Sequence, residues 1–333
     1  MKRILSILIS LGVLALLYAT IDLNGLWLSL RGSHMGWLTA AVLMFGPTYF
    51  FITFRFLRLT PPQVHLTAGP ALRLVLVGAT MNMVLPSKMG DVAKAYFMRD
   101  RGNLGLSNAL AIVMFEKAAD MIALLLWCFV GMFVYRPEGW SGPLLFAVIA
   151  GMLGFGVAML VSVRFSALWF RLASAMTPTR FKPKVQQLED AWNRTQAYAW
   201  RDRRMSLTII FVSILLWFLH LLQIWFFVRM LNADVPLMTH LAIMPLAILA
   251  GLLPLTFAGV GTRDAAIIAT YLPFMPAATG AALGILCTSR YIVPAIIGLP
   301  MLGDMMTRSK PDKATNNDSD GEQRDSLSDG VPQ

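Results

Sequence analysis

Charge is what this sequence has least of. Only 14% of its 333 residues are charged, where soluble domains carry about a quarter, and just 18 of them are acidic. A surface so poor in charge cannot be wetted all over, which excludes an ordinary soluble globular domain. Cysteine is scarce too. Cys128 and Cys287, each inside an apolar run, support neither a disulfide framework nor a cysteine metal site. The chain also lacks a phosphate-cradling glycine loop, a nucleophile elbow and a His-Glu-x-x-His pair. No ATP coupling, metal, cofactor or enzymatic chemistry is therefore expected. His34, His65 and His240 lie near the ends of apolar segments without metal-ligand spacing. His220 sits inside one, as either a hydrogen-bonded structural residue or a proton relay.

What the chain does contain is suited to hydrocarbon: 57% hydrophobic residues, with 21 methionines that read as adaptable packing. A spanning helix needs about 20 mostly apolar residues. Segments 4–21, 35–54, 105–134, 143–162, 206–230 and 278–303 meet that requirement. Met1-Lys2-Arg3 ahead of the first has the outline of a secretory signal, but its apolar run is long and no small-x-small cleavage site follows. It is expected to be a retained helix. The net charge of +10 does not point to nucleic acid, because the basic residues occupy short segments between apolar runs. Lys2 and Arg3, Arg55 and Arg58, the group Lys88, Lys94, Arg99 and Arg101, the Arg-rich stretch 164–204, and Arg308, Lys310 and Lys313 all fall on one side of six crossings. The other side holds little more than Arg31, Arg136 and Arg229. Both termini are thus expected on the cytoplasmic side of a bacterial inner membrane.

Two further apolar stretches, near 71–85 and 237–255, are too short or too broken to be ordinary spans. Each ends in a Leu-Pro pair (Leu85-Pro86, Leu253-Pro254), then glycine and charge, then a second weakly apolar stretch. Both read as re-entrant hairpins, 71–98 and 237–275. The chain then divides into two halves of the same order, span, span, hairpin, span, over about 1–135 and 143–305. Three crossings per half invert the second half. The expected fold class is an all-α integral membrane protein, a polytopic helical bundle of two inverted repeats with three spans and one re-entrant hairpin each. Residues 163–205 form a basic cytoplasmic connector, beginning with an interfacial helix that carries Phe165, Leu168, Trp169 and Leu172. The tail from 306 onward is polar and expected to be disordered.

Broken backbone at membrane depth is tolerated only against protein or a water-filled cavity. Charges inside spans carry a large insertion penalty and face the bundle interior. Glu116, Lys117 and Asp120 interrupt the third span, and Arg290 interrupts the last. Asp91 and Lys94 follow the first hairpin turn, as Arg263 and Asp264 follow the second. The spacing places Lys88, Asp91, Lys117, Arg263 and Arg290 around one cavity, with Glu116, Asp120 and Asp264 as counter-charges. Each is either a substrate contact or a structural ion pair fixing a hairpin.

The stretch Asn82-Met83-Val84-Leu85-Pro86-Ser87-Lys88-Met89-Gly90-Asp91 resembles the first turn motif of the lysylphosphatidylglycerol synthase transmembrane-region family, also called the flippase-like or UPF0104 family. Phe115-Glu116-Lys117-Ala118-Ala119-Asp120 is similar to its charged helix. Leu253-Pro254 with Gly259-Val260-Gly261-Thr262-Arg263-Asp264 is similar to its second turn. Lys117 stands where the family usually has Arg, Ala258 replaces a glycine, and Asp264 replaces a glutamate. With no soluble lysyl-transferase domain after the last span, the resemblance does not imply aminoacyl transfer. It implies a lipid-translocating module moving an anionic phospholipid or polyprenyl-phosphate lipid, with Asn82 among its site residues. The alternative is a membrane partner of a separate lipid-modifying enzyme such as a glycosyltransferase, docked on the basic connector.

Overall fold

The computed structural model describes residues 23–84, 90–102, 104–135, 141–252 and 261–308. The expected first span 4–21, the turn residues Pro86, Lys88, Pro254 and Gly259, and the tail from 309 lie outside the described residues.

Within them the chain is helical, with thirteen α-helices. In order these are α1 (Leu23–Arg31), α2 (Met35–Leu43), α3 (Phe45–Leu59), α4 (Ala68–Val84), α5 (Gly90–Gly102), α6 (Leu106–Val134) and α7 (Ser141–Val161). There follow α8 (Val163–Met176), α9 (Lys182–Ala199), α10 (Arg203–Met230), α11 (Leu237–Gly251), α12 (Thr262–Tyr271) and α13 (Ala277–Arg308). The segments Met35–Leu59, Gly142–Val161, Arg203–Met230 and Ala277–Gly303 are long and apolar enough to cross a membrane. Helix α6 has 29 residues, about 43 Å at 1.5 Å per residue, and it carries the Glu116-Lys117 pair and Asp120. The protein is thus an all-helical integral membrane protein.

The span expected at 35–54 runs on to Leu59 and is interrupted at Met44. Pro47 has no N–H to offer the Leu43 carbonyl four residues back, which accounts for the break. The continuation past residue 54 draws Arg55 into a helix instead of a loop.

Residue pairs fix how the helices run. His34 N–H donates to the Met230 carbonyl, Gln223 Nε2 to Ala41, and Arg55 Nη1 to Ser213, so α2–α3 lies antiparallel along α10. Gly90 packs onto the Asn82 backbone and Gly78 onto Lys94, which makes α4 and α5 an antiparallel pair. Helices α11 and α12 form a second pair, joined by Tyr271 Oη to His240 Nδ1 at 2.6 Å and by Gly251 against Arg263. The two pairs belong to different apolar clusters. The first buries Phe56, Leu74, Met98, Phe115 and Met205; the second buries Val228, Leu241, Met244, Ile267 and Tyr271.

Each pair also seats its first helix on the last long helix of the other half. A Cβ on Gly131 of α6 would lie 2.8 Å from Ala242 Cα of α11, and one on Gly298 of α13 would lie 2.8 Å from the Leu76 carbonyl carbon of α4. Thr80 Oγ1 reinforces the second contact by donating to the Ala295 carbonyl.

The connector is not free. Trp192, Ala191, Gln196 and Ala199 of α9 are buried, with Trp192 packed against Phe115 of α6. The Leu160 carbonyl, in the last turn of α7, accepts from both Gln196 Nε2 and Trp200 Nε1 at 2.7 Å. Those two donors satisfy a carbonyl that the helix end leaves without an intrahelical partner. Asp202 then caps α10 by accepting from the Met205 N–H, which holds its carboxyl below the usual carboxylate range.

Overpacking at a close helix contact is worth about 1–3 kcal/mol. Gly131→Leu and Gly298→Leu are therefore expected to lower the thermal midpoint of the detergent-purified protein, while Gly151→Leu and Gly154→Leu, which open onto empty space, leave it unchanged. Size-exclusion recovery after a heating series measures both.

Candidate functional site

Two groups of charged side chains lie inside the bundle. The larger is centred on Arg55 of α3 and Glu116 of α6, whose side chains are no more than 2% exposed. Arg55 holds Asp120 at 2.6 Å through Nη1 and Glu116 at 3.6 Å through Nη2, and Nη1 also donates to Ser213 Oγ at 2.9 Å. On its other side Glu116 accepts from Lys94 Nζ at 2.6 Å, and that ammonium sits 4.3 Å above the Phe56 ring. Lys117 lies 3.4 Å from Asp91 and 3.6 Å from Asp120, with 47% of its side chain exposed. Three cations (Arg55, Lys94, Lys117) thus meet three anions (Asp91, Glu116, Asp120). Helical geometry brings them together: Glu116 and Asp120 are one turn apart on α6, and Asp91 and Lys94 are one turn apart on α5.

The smaller group joins α12 to α13. Asp264 Oδ1 accepts from Arg263 Nε at 3.2 Å and Nη2 at 2.9 Å; Nη2 also reaches Thr288 Oγ1 at 2.6 Å and the Gly284 carbonyl at 3.3 Å. Asp264 Oδ2 accepts from Gly261 N–H. Gly261 has φ 98°, a left-handed conformation that glycine alone adopts without penalty. Arg263 and Asp264 thus spend their polar atoms on the local turn and on α13. Asn82 does the same for the first pair, its Oδ1 accepting from Gly90 N–H at 2.9 Å and its Nδ2 reaching Asp91 at 3.5 Å.

Arg290 differs from all of these. It is 8% exposed, donates through Nη1 to the His220 carbonyl at 3.0 Å, and stacks 5.5 Å from the Tyr291 ring centre. Among the described residues no carboxylate pairs with it. The sequence between the two helices of each pair, 85–89 and 253–260, contains no Asp or Glu. The antiparallel register of α4 on α13, fixed by Thr80 against Ala295, brings the end of α4 level with Arg290. Pro294, four residues on, removes the N–H that would bond the Arg290 carbonyl, and α13 continues through it.

Helix α10 links the groups. Ser213, Trp217 and His220 recur at helical spacing. The first meets Arg55, the second donates Nε1–H to the Asp120 carbonyl at 2.7 Å, and the third offers its carbonyl to Arg290. Tyr49 is within electrostatic reach of both Arg290 and Lys117.

Of the residues picked from sequence, Asp91, Glu116, Lys117 and Asp120 are brought together, with Asn82 and Gly90 beside them. Arg263 and Asp264 form their own pair at Gly261, and Arg290 stands apart with a backbone partner. The sequence reading assigned Arg55 and Lys94 to the basic loop clusters that set orientation. The structure corrects this, burying both as the central cations of the network. The signal for Arg55 was its place on one stripe with Thr48 and Leu59, at i, i+7 and i+11, both of them buried.

A chain of apolar spanning helices with paired charges inside is an integral membrane protein built around a polar interior. This one belongs to the lysylphosphatidylglycerol synthase TM region family, whose model matches residues 3–298. It is 22% identical over 242 residues to a UPF0104 membrane protein of Methanocaldococcus jannaschii, covering 68% of this chain and 71% of that one. It is 22% identical over 214 residues to a UPF0104 membrane protein of Methanothermobacter thermautotrophicus, covering 60% of this chain and 63% of the relative.

Removing one member of a buried ion pair strands the other, at a cost of about 3–5 kcal/mol. Arg55→Met is expected to lower the yield of folded protein and its thermal midpoint sharply. Arg55→Met combined with Asp120→Asn, which restores equal numbers of charges, recovers a large part of the loss. A double-mutant cycle on detergent-solubilised protein reads the coupling.

Proposed function

We propose that this protein moves a phosphate-bearing anionic membrane lipid between leaflets. The phosphate is met by Arg290, with Lys117 as the second basic group, while the acyl chains remain in lipid. The observation that carries this reading is that, among the described residues, no carboxylate pairs with Arg290. A cation buried in a low-dielectric interior needs an anion, and every other cation of the buried network has a carboxylate. A guanidinium matches phosphate geometry through two parallel N–H donors. Lys117 is the most exposed of the paired cations and therefore the one freest to leave its carboxylates for an arriving anion.

The route for the headgroup follows from reading the chain as two inverted repeats whose helix pairs, α4–α5 and α11–α12, enter the membrane from opposite faces. Support comes from equivalent positions: Pro86 and Pro254, Gly131 and Gly298, Leu76 and Ala242 are separated by 168, 167 and 166 residues. The last two of these form reciprocal contacts, α6 on α11 and α13 on α4. Such repeats place a substrate site where the two broken elements meet, and rocking of one half against the other exposes it alternately. Arg263, Asp264 and Asn82 hold the two turns in shape. The protein is read as a transporter and not an enzyme, in a bacterial inner membrane with both termini cytoplasmic. The basic connector was the expected docking surface for a separate enzyme, but its inward face is committed to α6 and α7. This observation favours transport by the chain itself.

The test is a proteoliposome assay with fluorescent phosphatidylglycerol and fluorescent phosphatidylcholine. Wild-type protein is expected to accelerate movement of the anionic lipid over the zwitterionic one. Arg290→Gln is expected to reduce that rate at least tenfold with an unchanged elution profile, and Arg290→Lys to retain part of it. If neither lipid moves, or if Arg290→Gln transports at the wild-type rate, the reading is wrong.

A further inference from the structure

Away from the central charges, the bundle has a second basic feature at the end where Arg58, Arg201, Arg203 and Arg204 gather. Helix α3 stops at Leu59, and the chain turns through Pro61 and the short 3-10 turn Pro62–Val64. His65 follows with φ 48°, in the left-handed region disfavoured for any residue with a Cβ. Between this turn and the junction of α9 with α10 lies a pocket of about 360 Å³. Arg58, His65, Tyr198 and Arg201 supply its polar wall, and Leu57, Leu66 and Met205 are among its apolar lining.

None of the lining residues is acidic. Arg201 lies 4.9 Å from the Tyr198 ring centre and pairs through Nε with Asp202 at 3.3 Å. Its side chain remains 53% exposed despite that pairing. Asp202 is itself committed to capping α10. Arg58 rests 5.1 Å from the Phe54 ring centre and has no carboxylate partner among the described residues. Each guanidinium lies near a ring face, a contact that attracts a cation and limits the freedom of its side chain. The strained backbone of His65 keeps an imidazole where glycine would fit the turn more easily, the kind of local strain that accompanies binding sites.

We propose that this pocket binds a phosphate group at the membrane surface, gripped by Arg58 and Arg201 with His65 and the Tyr198 hydroxyl as further donors. Two guanidinium side chains lining one concavity suit the oxygens of a phosphate ester. The apolar part of the lining accommodates the carbon next to the ester. A lipid headgroup and a soluble phosphate monoester present the same chemistry. The site is separate from Arg290 and does not depend on transport.

The experiment uses full-length protein carrying Arg290→Gln, to silence the central cation, in nanodiscs of phosphatidylcholine alone. Short-chain phosphatidic acid and glycerol 3-phosphate are titrated separately by calorimetry. Binding of the lipid alone assigns the pocket to a headgroup; binding of glycerol 3-phosphate as well assigns it to phosphate from solution. In either case Arg58→Gln with Arg201→Gln is expected to weaken binding at least tenfold. His65→Gly is expected to weaken it while leaving the thermal midpoint unchanged or higher, which a purely structural role for His65 would not produce. If neither ligand binds, or if the double variant binds as tightly as its parent, the proposal falls.

Discussion

Arg55 reaches from α3 into the face of α6 and holds two carboxylates one turn apart. In a hydrocarbon environment that contact decides much else. An unmatched carboxylate at depth would either bring water with it or expel its helix, so α6 can carry Glu116 and Asp120 only where a guanidinium waits for both. Lys94 on α5 completes the arrangement from the far side of Glu116, fixing how deep the first helix pair sits. Three helices are thereby held in register by charge, whereas apolar packing alone would let them slide.

Shape fixes what charge leaves open. Gly131 and Gly298 admit the backbones of α11 and α4 to distances no side chain allows, as small residues do at helix crossings in lipid. The two crossings tie each half of the chain to the other. Thr80 adds a directional bond at one of them, meeting the Ala295 carbonyl while still bonded to Leu76 in its own helix.

Much of this was legible in the sequence, because the physics that writes it is coarse. Long apolar runs gave the helical class and the long helices at 35–59, 142–161, 203–230 and 277–303, and Glu116, Lys117 and Asp120 stood out against their apolar neighbours. Arg55 and Lys94 were missed for a definite reason. Basic residues after an apolar run usually mark its end, and only the unexpected continuation of α3 to Leu59 turns Arg55 inward. The split between Arg263, which has a carboxylate partner, and Arg290, which has none among the described residues, depends on how Thr288 and Gly284 of α13 face α12. Spacing along one chain carries no information about that. The burial of α9 was hidden as well, since its polar composition reads as a solvated connector, and only Trp192 and Trp200 hinted at a packed face.

The Leu160 carbonyl gives the connector a mechanical meaning. Only 11% of the residues in the apolar window of α7 are buried, so its contact with α6 and the two side chains that grip its last turn do much to hold it. Those side chains, Gln196 and Trp200, come from the connector. The last turn of α7 is therefore moored to the connector as a line holds a float, and α7 can slide along its own axis only by first breaking these two bonds.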